Sequence, residues 1–313
     1  MRVLVFTHMY PVPQHPENGV FVQQQVLSLR REGIDVDVLH VDVKRSKWLY
    51  PASVVPLAGR VLRERYDLVH AHYVFAGIVA RMQLRYPLVI THHGDETLHG
   101  WQAPLCWALS RMADRTIVVS EQMKQAIGLE SAVVVPCGVD FNLFRPMPQE
   151  EARARLGLPT GKGLVLFVGD ITKRLKRFDL VQEAVGRLRA GGLDVELVVA
   201  HKRPYETIPL YMNACDVLVL PSECEGSPQV IKEAMACNLP VVCTEVGDVT
   251  EVMAGVTGCH TCWRDAEDIA AKVAQVLERR ERTNAREKTR RYDLPAVARR
   301  ILQVYEGVVR ERG

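Results

Sequence analysis

The sequence lacks the features of several protein classes. No stretch approaches the ~18 uninterrupted apolar residues that span a bilayer, so we expect no transmembrane helix. The N-terminal segment MRVLVFTHMY has neither the long apolar core nor the small-residue cleavage site of a signal peptide, and we expect a buried strand there. The net charge is only +3, from 40 basic and 37 acidic residues, which is too small an imbalance for a dedicated nucleic-acid-binding protein.

Cysteine spacing indicates neither a zinc site nor a haem attachment site. The eight cysteines include one CxxC pair, Cys259 and Cys262, with no second pair at zinc-ribbon spacing. The histidine lies between these cysteines, whereas haem attachment needs it after them. The pair is either redox-active or part of a turn with two free thiols, and the turn is favoured. We expect the thiols to be reduced, as in the cytoplasm.

Two nucleotide-binding motifs are also missing. No GxGxxG follows the first strand, which leaves a nicotinamide or flavin dehydrogenase with little support. The stretch GLPTGKG at 157–163 has the wrong spacing for a P-loop, and it precedes a strand instead of following one. We interpret it as a linker.

Strand and helix patterns alternate along the chain, which predicts α/β domains with parallel sheets. The length of 313 residues predicts about two such domains. Predicted strands lie at 3–6, 36–41, 68–70, 88–91, 117–119, 133–135, 164–168, 195–199, 217–220 and 241–243, and helices at 21–33, 75–84, 178–189, 229–236 and 295–309. Proline and glycine are densest from 136 to 163, so we expect domains at 1–148 and 149–294. We also expect a C-terminal helix at 295–313, which can pack back on the first domain.

The most informative segment is DVLVLPSECEGSPQVIKEAMACNLPVV, residues 216–242. A helix that starts at Pro228 directs the N–H groups of Gln229 and Val230, and the positive end of its dipole, into the preceding loop, which suits phosphate or sugar oxygens. Glu225 and Glu233 can approach one ligand from two directions, and a carboxylate accepts hydrogen bonds from a vicinal diol such as that of a ribose or a hexose. The alternative is a capped helix with surface acids.

Glu225 and Glu233 enclose seven residues, and EGSPQVIKEAMACNLPVV followed by GDVTEV resembles the EX7E motif of retaining glycosyltransferases of family 4. Further similar segments are LFVGDITKRLKRFDLVQEAV, YMNACDVLVLPS, THHGDE, VVPCGVDFNLFRP and GVFVQQQVLSLRREG. The resemblance implies the GT-B fold, with two Rossmann-like domains facing across a cleft. Within the family the pattern is most similar to enzymes of bacterial surface polysaccharide assembly, such as those of teichuronic acid synthesis.

The resemblance also implies a donor site and its residues. Glu233 would bind the nucleotide ribose, and Glu225 would act as a catalytic residue on the hydroxyls of the donor sugar. Cations and helix ends would stabilise the diphosphate in place of a metal cofactor. The remaining donor-binding residues would be Gly19, Arg174, Lys176, Gly226, Ser227, Pro228, Gln229 and Val230.

The histidine of THHGDE that matches the family pattern is His93, which the resemblance places near the donor sugar as a second catalytic residue. The alternative is that His93 is a structural, hydrogen-bonded histidine. If the match of THHGDE to the family pattern shifts by one residue, His92 takes the catalytic role instead. Asp95 and Glu96 are candidates for orienting the histidine or meeting the acceptor.

The implied activity is transfer of a sugar, with retention, from a UDP- or GDP-linked donor to a saccharide or lipid-linked acceptor in cell-surface polysaccharide synthesis. Asp170 stands where many relatives carry arginine, and the segment 200–211 is short where the base usually binds, so the nucleotide stays open. Alternatives are a sugar phosphate acceptor, or a catalytically silent partner subunit that binds nucleotide sugars.

Basic residues cluster at 44–48 and 60–65, near aromatic side chains. They fit either peripheral contact with the inner face of the cytoplasmic membrane or an ordinary solvated surface. The mixed charges at 279–291 are interpreted as solvated helix faces.

Overall fold

The computed structural model describes residues 1–46, 48–94, 97–98 and 100–312. Up to residue 138 the elements are β1 (Arg2–Thr7), α1 (Val20–Arg31), β2 (Asp35–His40), α2 (Leu49–Ala52), α3 (Val54–Arg63), β3 (Leu68–His72), α4 (Val74–Arg81), β4 (Leu88–His92), α5 (Ala103–Met112), β5 (Arg115–Val118), α6 (Glu121–Ile127) and β6 (Val133–Val134). From residue 139 they are α7 (Gln149–Leu156), β7 (Gly163–Val168), α8 (Phe178–Ala190), β8 (Val195–Ala200), α9 (Ile208–Ala214), β9 (Val217–Leu220), α10 (Gln229–Ala236), β10 (Val241–Thr244), α11 (Val249–Met253), β11 (His260–Cys262), α12 (Ala266–Arg279), α13 (Ala285–Lys288) and α14 (Leu294–Arg312).

The chain forms two compact units. Unit 1 contains residues 1–138 and the C-terminal helix α14, and unit 2 contains residues 139–293. The described strands of unit 1 form a parallel sheet in the order β2-β1-β3-β4-β5-β6, and those of unit 2 form a parallel sheet in the order β11-β10-β9-β7-β8. The predicted α/β architecture with two parallel-sheet domains is therefore confirmed.

Each central strand is buried on both faces, as its continuous apolar sequence requires. In unit 1, Val3 and Val5 of β1 pack with α1 and α14, while Leu4 and Phe6 pack with α3 and α4. In unit 2, alternate residues of β7 likewise point into two separate clusters, one of them against α8 and α12. The two layers of helices leave the loops at the strand ends as the available surface for ligands.

The division between units falls after Gly138, earlier than the boundary expected near residue 148. Residues 139–144 belong to unit 2 because Arg286 binds their carbonyl groups. Its guanidinium donates to the carbonyl oxygens of Phe144 at 2.6 Å and Phe141 at 2.7 Å, and also to that of Ala236 at 2.7 Å. Arg286 lies in the charged stretch interpreted as solvated, so that interpretation is wrong for this residue.

Helix α14 packs in unit 1, with Val297, Ile301 and Tyr305 in the same apolar cluster as β1 and α1. The Tyr305 hydroxyl lies 2.6 Å from Nδ1 of His70 on β3. Among the described residues, no helix combines the length and the apolarity that crossing a membrane requires.

The favoured interpretation of the CxxC pair, a turn with two free thiols, is confirmed for the thiols and wrong for the turn. His260 to Cys262 form the edge strand β11, which pairs with β10 through the register Val242 to His260. Both cysteines are free thiols, and burial raises the pKa of Cys259 to about 11 and that of Cys262 to about 12. A thiol that stays protonated at neutral pH is a poor nucleophile.

Candidate active site

The loop between β9 and α10, residues 221–228, begins at the carboxyl end of the central strand of unit 2. The Thr244 hydroxyl, at the end of the neighbouring strand β10, donates to the carbonyl oxygen of Ser222 at 2.7 Å. Gly247 has φ of +58°, and an added Cβ there would lie 2.6 Å from the carbonyl oxygen of Gly226. Only glycine permits so close an approach, so the loop after β10 packs directly on the β9–α10 loop.

Glu225 forms an ion pair with Lys176. The short 3-10 turn Arg174–Lys176 follows β7, and the Leu175 carbonyl of this turn accepts from the amide of Glu223 at 2.8 Å. This backbone bond holds the two loops together, and Lys176 Nζ lies 2.6 Å from Glu225 Oε1. Both side chains are partly buried, while Arg174 is exposed on the same turn. The structure thus brings a cation and a carboxylate to one point at the strand ends.

Glu233 lies on α10 and is only 5% exposed. The hydroxyl of Tyr205 donates to its Oε1 at 2.8 Å. Burial raises the pKa of Glu233 to about 7, although the hydrogen bond from Tyr205 acts in the opposite direction. Burial, and secondly the charge of Glu233, raise the pKa of Tyr205 well above its usual value, so this phenol remains a hydrogen-bond donor. Glu233 is therefore a buried acceptor whose charge is sensitive to pH near neutrality.

The raised pKa of Glu233 predicts a pH-dependent stability. The folded protein binds a proton at Glu233 more tightly than the unfolded chain, so this group stabilises the fold at low pH and loses that contribution as pH rises through about 7. Replacing Glu233 by Gln removes the effect. We expect the unfolding free energy of the wild type, relative to Glu233→Gln, to fall by on the order of 3 kcal/mol between pH 5 and pH 8. Urea unfolding of the wild type and of the variant at both pH values measures this change. A difference in unfolding free energy that stays the same at both pH values contradicts the prediction.

Helix α10 begins at Gln229, directly after Pro228, whose side chain makes no capping hydrogen bond. The strand 217–220 and the helix 229–236 agree with the sequence prediction. Gly226 is buried, and the Ser227 hydroxyl donates to Oδ2 of Asp248 at 2.7 Å. Val230 is partly buried and packs on the core of unit 2. The predicted residues from Glu225 to Glu233, with Arg174 and Lys176, therefore lie in one unit around the ends of β7 and β9.

Gly19 and His93 lie in unit 1. Gly19 precedes α1 with φ of +70°, and an added Cβ would lie 2.4 Å from the carbonyl carbon of Met9. The fold of unit 1 therefore requires glycine at this position.

His93 follows β4 and is surrounded by other rings and a thiol. Its Nε2 lies 2.7 Å from Nδ1 of His72, and its Nδ1 lies 3.5 Å from Sγ of Cys137. Burial lowers the pKa of His93 well below its usual value, and the neighbouring histidines lower it further. A neutral imidazole at this point can exchange hydrogen bonds but supplies no positive charge.

The alternative histidine, His92, is the last residue of β4. It is fully buried, with Nε2 3.1 Å from the hydroxyl oxygen of Ser110 on α5, and burial lowers its pKa to about 4. The remaining candidates Asp95 and Glu96 lie outside the described residues, as does Lys47 of the first basic cluster.

Asp170, which stands where the resemblance implies arginine in many relatives, is held by its own loop. Its Oδ1 accepts from the amide of Thr172 at 3.0 Å and from the Thr172 hydroxyl at 2.7 Å. These two hydrogen bonds lower its pKa. Within the described part of the chain, no group of three or more His, Cys, Asp or Glu side chains has an arrangement that fits a metal ion.

Comparisons with known proteins identify the family of this chain. Residues 1–143 match the family model for Glycosyltransferase Family 4, and residues 201–279 match that for glycosyl transferases group 1. The chain belongs to glycosyltransferase family 4. This glycosyltransferase is 27% identical over 325 positions to TuaC of Bacillus subtilis strain 168, which is named for teichuronic acid biosynthesis, with 80% of this chain and 83% of the relative covered.

Solved structures share the GT-B fold of this glycosyltransferase. Sucrose-phosphate synthase from Thermosynechococcus elongatus superposes with a TM-score of 0.83 at 20% identity, covering 98% of this chain and 99% of the other. HepE from Anabaena, in complex with UDP-glucose, superposes with a TM-score of 0.74 at 20% identity, covering 97% and 99%. At these identities the likeness concerns the fold.

Sequence reasoning missed three residues around the site of this glycosyltransferase. Tyr205 binds Glu233 from a 3-10 turn in the short segment 200–211, and no periodic pattern marks it. Lys232 and Asp248 form a buried ion pair behind the β9–α10 loop. A signal for Lys232 was present, because this lysine stands between the apolar Ile231 and the predicted site residue Glu233 on a helix whose following residues are apolar.

Proposed function

We propose that this glycosyltransferase takes its sugar from a nucleoside diphosphate sugar and transfers it, with retention of configuration, to a saccharide or lipid-linked acceptor in cell-surface polysaccharide synthesis. The observation that carries the proposal is the grouping of Glu225, Lys176 and Glu233 at the carboxyl ends of the strands of unit 2. In open α/β sheets this edge is where ligands bind.

Each group has a distinct role in the proposed reaction. Glu233, held by Tyr205, accepts hydrogen bonds from the two ribose hydroxyls. The negative charge of the carboxylate strengthens these hydrogen bonds. Lys176 contacts the diphosphate and stabilises the negative charge that develops as the diphosphate departs. Glu225, paired with Lys176 at 2.6 Å before the donor binds, accepts from hydroxyls of the donor sugar. The start of α10 adds the N–H groups and the dipole of a helix N-terminus.

The route that we propose needs no protein nucleophile. The leaving phosphate accepts the proton of the acceptor hydroxyl on the same face of the sugar, while the protein positions both substrates and stabilises charge. The bond from the anomeric carbon to the phosphate oxygen breaks, and a bond from the same carbon to the acceptor oxygen forms. A neutral His93 contributes a hydrogen bond to the donor sugar, and side-chain cations take the place of a metal cofactor.

The donor nucleotide is testable without knowing the acceptor. UDP is the first candidate, because HepE, which has the same fold, binds UDP-glucose. Thermal unfolding is measured with UDP, GDP and their sugars, with inorganic pyrophosphate as the control. We expect either UDP or GDP, present at 100 times its Kd, to raise the free energy of unfolding by about 2.7 kcal/mol. Slow release of that diphosphate from the sugar donor separates an enzyme from a silent binding subunit. Stabilisation by none of the nucleotides contradicts the proposal.

We further propose that unit 1 contacts an anionic membrane through α3, consistent with a lipid-linked acceptor. Val55 and Leu62, seven positions apart on this helix, are 74% and 73% exposed on one face. Arg63 and Arg65 follow Leu62 in the chain and are exposed. Exposed apolar side chains together with arginines suit the interface of a membrane that carries anionic lipids.

Vesicle co-sedimentation tests this contact. The wild type is expected to bind phosphatidylglycerol vesicles more tightly than phosphatidylcholine vesicles, since each basic residue near such a surface contributes about 1 kcal/mol. The variant Val55→Asn/Leu62→Asn should lose most of the binding, whereas Ile171→Asn, an exposed apolar residue in unit 2, should retain it. Equal binding to both kinds of vesicle contradicts the proposal.

A further inference from the structure

We propose that Lys232 and Asp248 form a buried bridge that positions the β9–α10 loop through Ser227, and that Ser227 serves donor binding through this bridge and not by contact with the donor. The inference rests on the proposed function for its reference to a donor. It adds two positioning residues, Lys232 and Asp248, that lie outside the EX7E pair.

The bridge joins three segments of unit 2. Lys232 lies on α10 with its side chain fully buried, and Asp248, directly before α11, is 3% exposed. Lys232 Nζ lies 2.6 Å from Asp248 Oδ2, and the Ser227 hydroxyl donates to the same oxygen at 2.7 Å. Lys232 Nζ also contacts Ser227 Oγ. A helix, the loop before it and the loop after β10 are thereby tied at one point.

The hydrogen bonds of the Ser227 hydroxyl determine whether it can donate to a diphosphate. A hydroxyl has one proton to donate, and that of Ser227 is directed to Asp248. The oxygen of Ser227 also accepts from Lys232. A diphosphate oxygen is an acceptor and needs a donor, so Ser227 in this state has no proton to offer it. Its contribution to a diphosphate site is then the position that it gives to the backbone of Gly226 and to the start of α10.

The charges of the bridge support the same role. Lys232 neutralises Asp248, which would otherwise place an unpaired negative charge beneath a loop proposed to receive an anion. Gly247, next to Asp248, is the residue whose missing Cβ allows contact with the Gly226 carbonyl. The bridge therefore fixes the loop beside the close approach of the Gly247 backbone to the Gly226 carbonyl.

The test compares four variants and one control variant in their binding of the nucleoside diphosphate that stabilises the wild type most. Ser227→Ala is expected to weaken binding about tenfold, the effect of losing a hydrogen bond to a charged group, and Ser227→Thr, which keeps the hydroxyl, should restore it to within about twofold. Lys232→Met/Asp248→Leu removes both charges together and should weaken binding by about the same factor as Ser227→Ala. Adding Ser227→Ala to that double variant should cause no further loss. Thr250→Ala, which removes an exposed hydroxyl on α11, serves as the control.

Independent losses, in which the triple variant is weaker by the product of the two effects, would overturn the proposal, because Ser227 would then contact the donor directly. Unchanged affinity in Ser227→Ala would overturn it as well. Hydrogen exchange of the amides at 223–227, measured without ligand, gives a second test that does not depend on the proposed function. Faster exchange in Ser227→Ala than in Ser227→Thr supports the bridge, and equal exchange contradicts it. A wild type that binds no diphosphate refutes the proposed function while this second test still applies.

Discussion

Glu233→Gln is expected to weaken binding of the nucleoside diphosphate by about 10- to 100-fold at pH 8, since hydrogen bonds to a charged group contribute roughly 1.5–3 kcal/mol. The amide keeps the volume of the side chain and an oxygen that accepts from Tyr205, but it lacks the charge that strengthens hydrogen bonds from the ribose. Titration calorimetry with the wild type and the variant measures the difference.

The pH dependence provides an internal control for this result. With a pKa of about 7, Glu233 is mostly ionised at pH 8 and mostly protonated at pH 6, so the gap between wild type and variant should narrow at pH 6. Glu251→Gln, an exposed residue on the neighbouring helix α11, should bind like the wild type at both pH values. Equal affinities of wild type and Glu233→Gln at pH 8 would contradict the ribose assignment.

Lys176→Met is expected to lower kcat by about 10²- to 10³-fold, the range found when one group that stabilises developing charge is removed. The substitution keeps most of the side-chain length but removes the cation that we assign to the departing diphosphate. Donor affinity should fall by a smaller factor, because the charge on the leaving group grows during the reaction. Release of the diphosphate from the sugar donor, followed under single-turnover conditions, measures the chemical step.

Lys173→Met is the matched control, because Lys173 is exposed in the same loop three positions earlier. Its kcat should stay within about twofold of the wild type, as expected for a surface charge. A similar loss of kcat in both variants would indicate that general electrostatics of the loop, and not the position of Lys176 beside Glu225, carries the effect.

Much of the fold follows from local sequence. Strand β9 and helix α10 agree with prediction because a continuous apolar run ends at Pro221 and the helix follows Pro228, so both boundaries are marked by proline. The edge strand β11 was missed because three residues that begin with His260 and Thr261 offer no apolar run or alternation. Its pairing with β10 comes from tertiary structure.

The placement of Glu225 on the β9–α10 loop and of Glu233 on α10 could be predicted, because a strand, a loop and a helix start are all marked in the local sequence. Tyr205 and Asp248 could not be predicted in the same way, since they reach Glu233 and Lys232 across 28 and 16 positions of the chain through tertiary folding alone. Lys232 was missed for a different reason. A lysine on a helix is usually solvated, whereas Lys232 is fully buried. The partners of Glu233 and Lys232, which are Tyr205 and Asp248, thus became visible only in three dimensions.

The most direct test of the proposed donor site is a crystal structure of the protein with the nucleoside diphosphate that stabilises it most. We expect the ribose hydroxyls within hydrogen-bonding distance of the Glu233 carboxylate, and the diphosphate beside Lys176 and the start of α10. A nucleotide bound elsewhere on the protein, with Glu233 contacting only Tyr205, would contradict it.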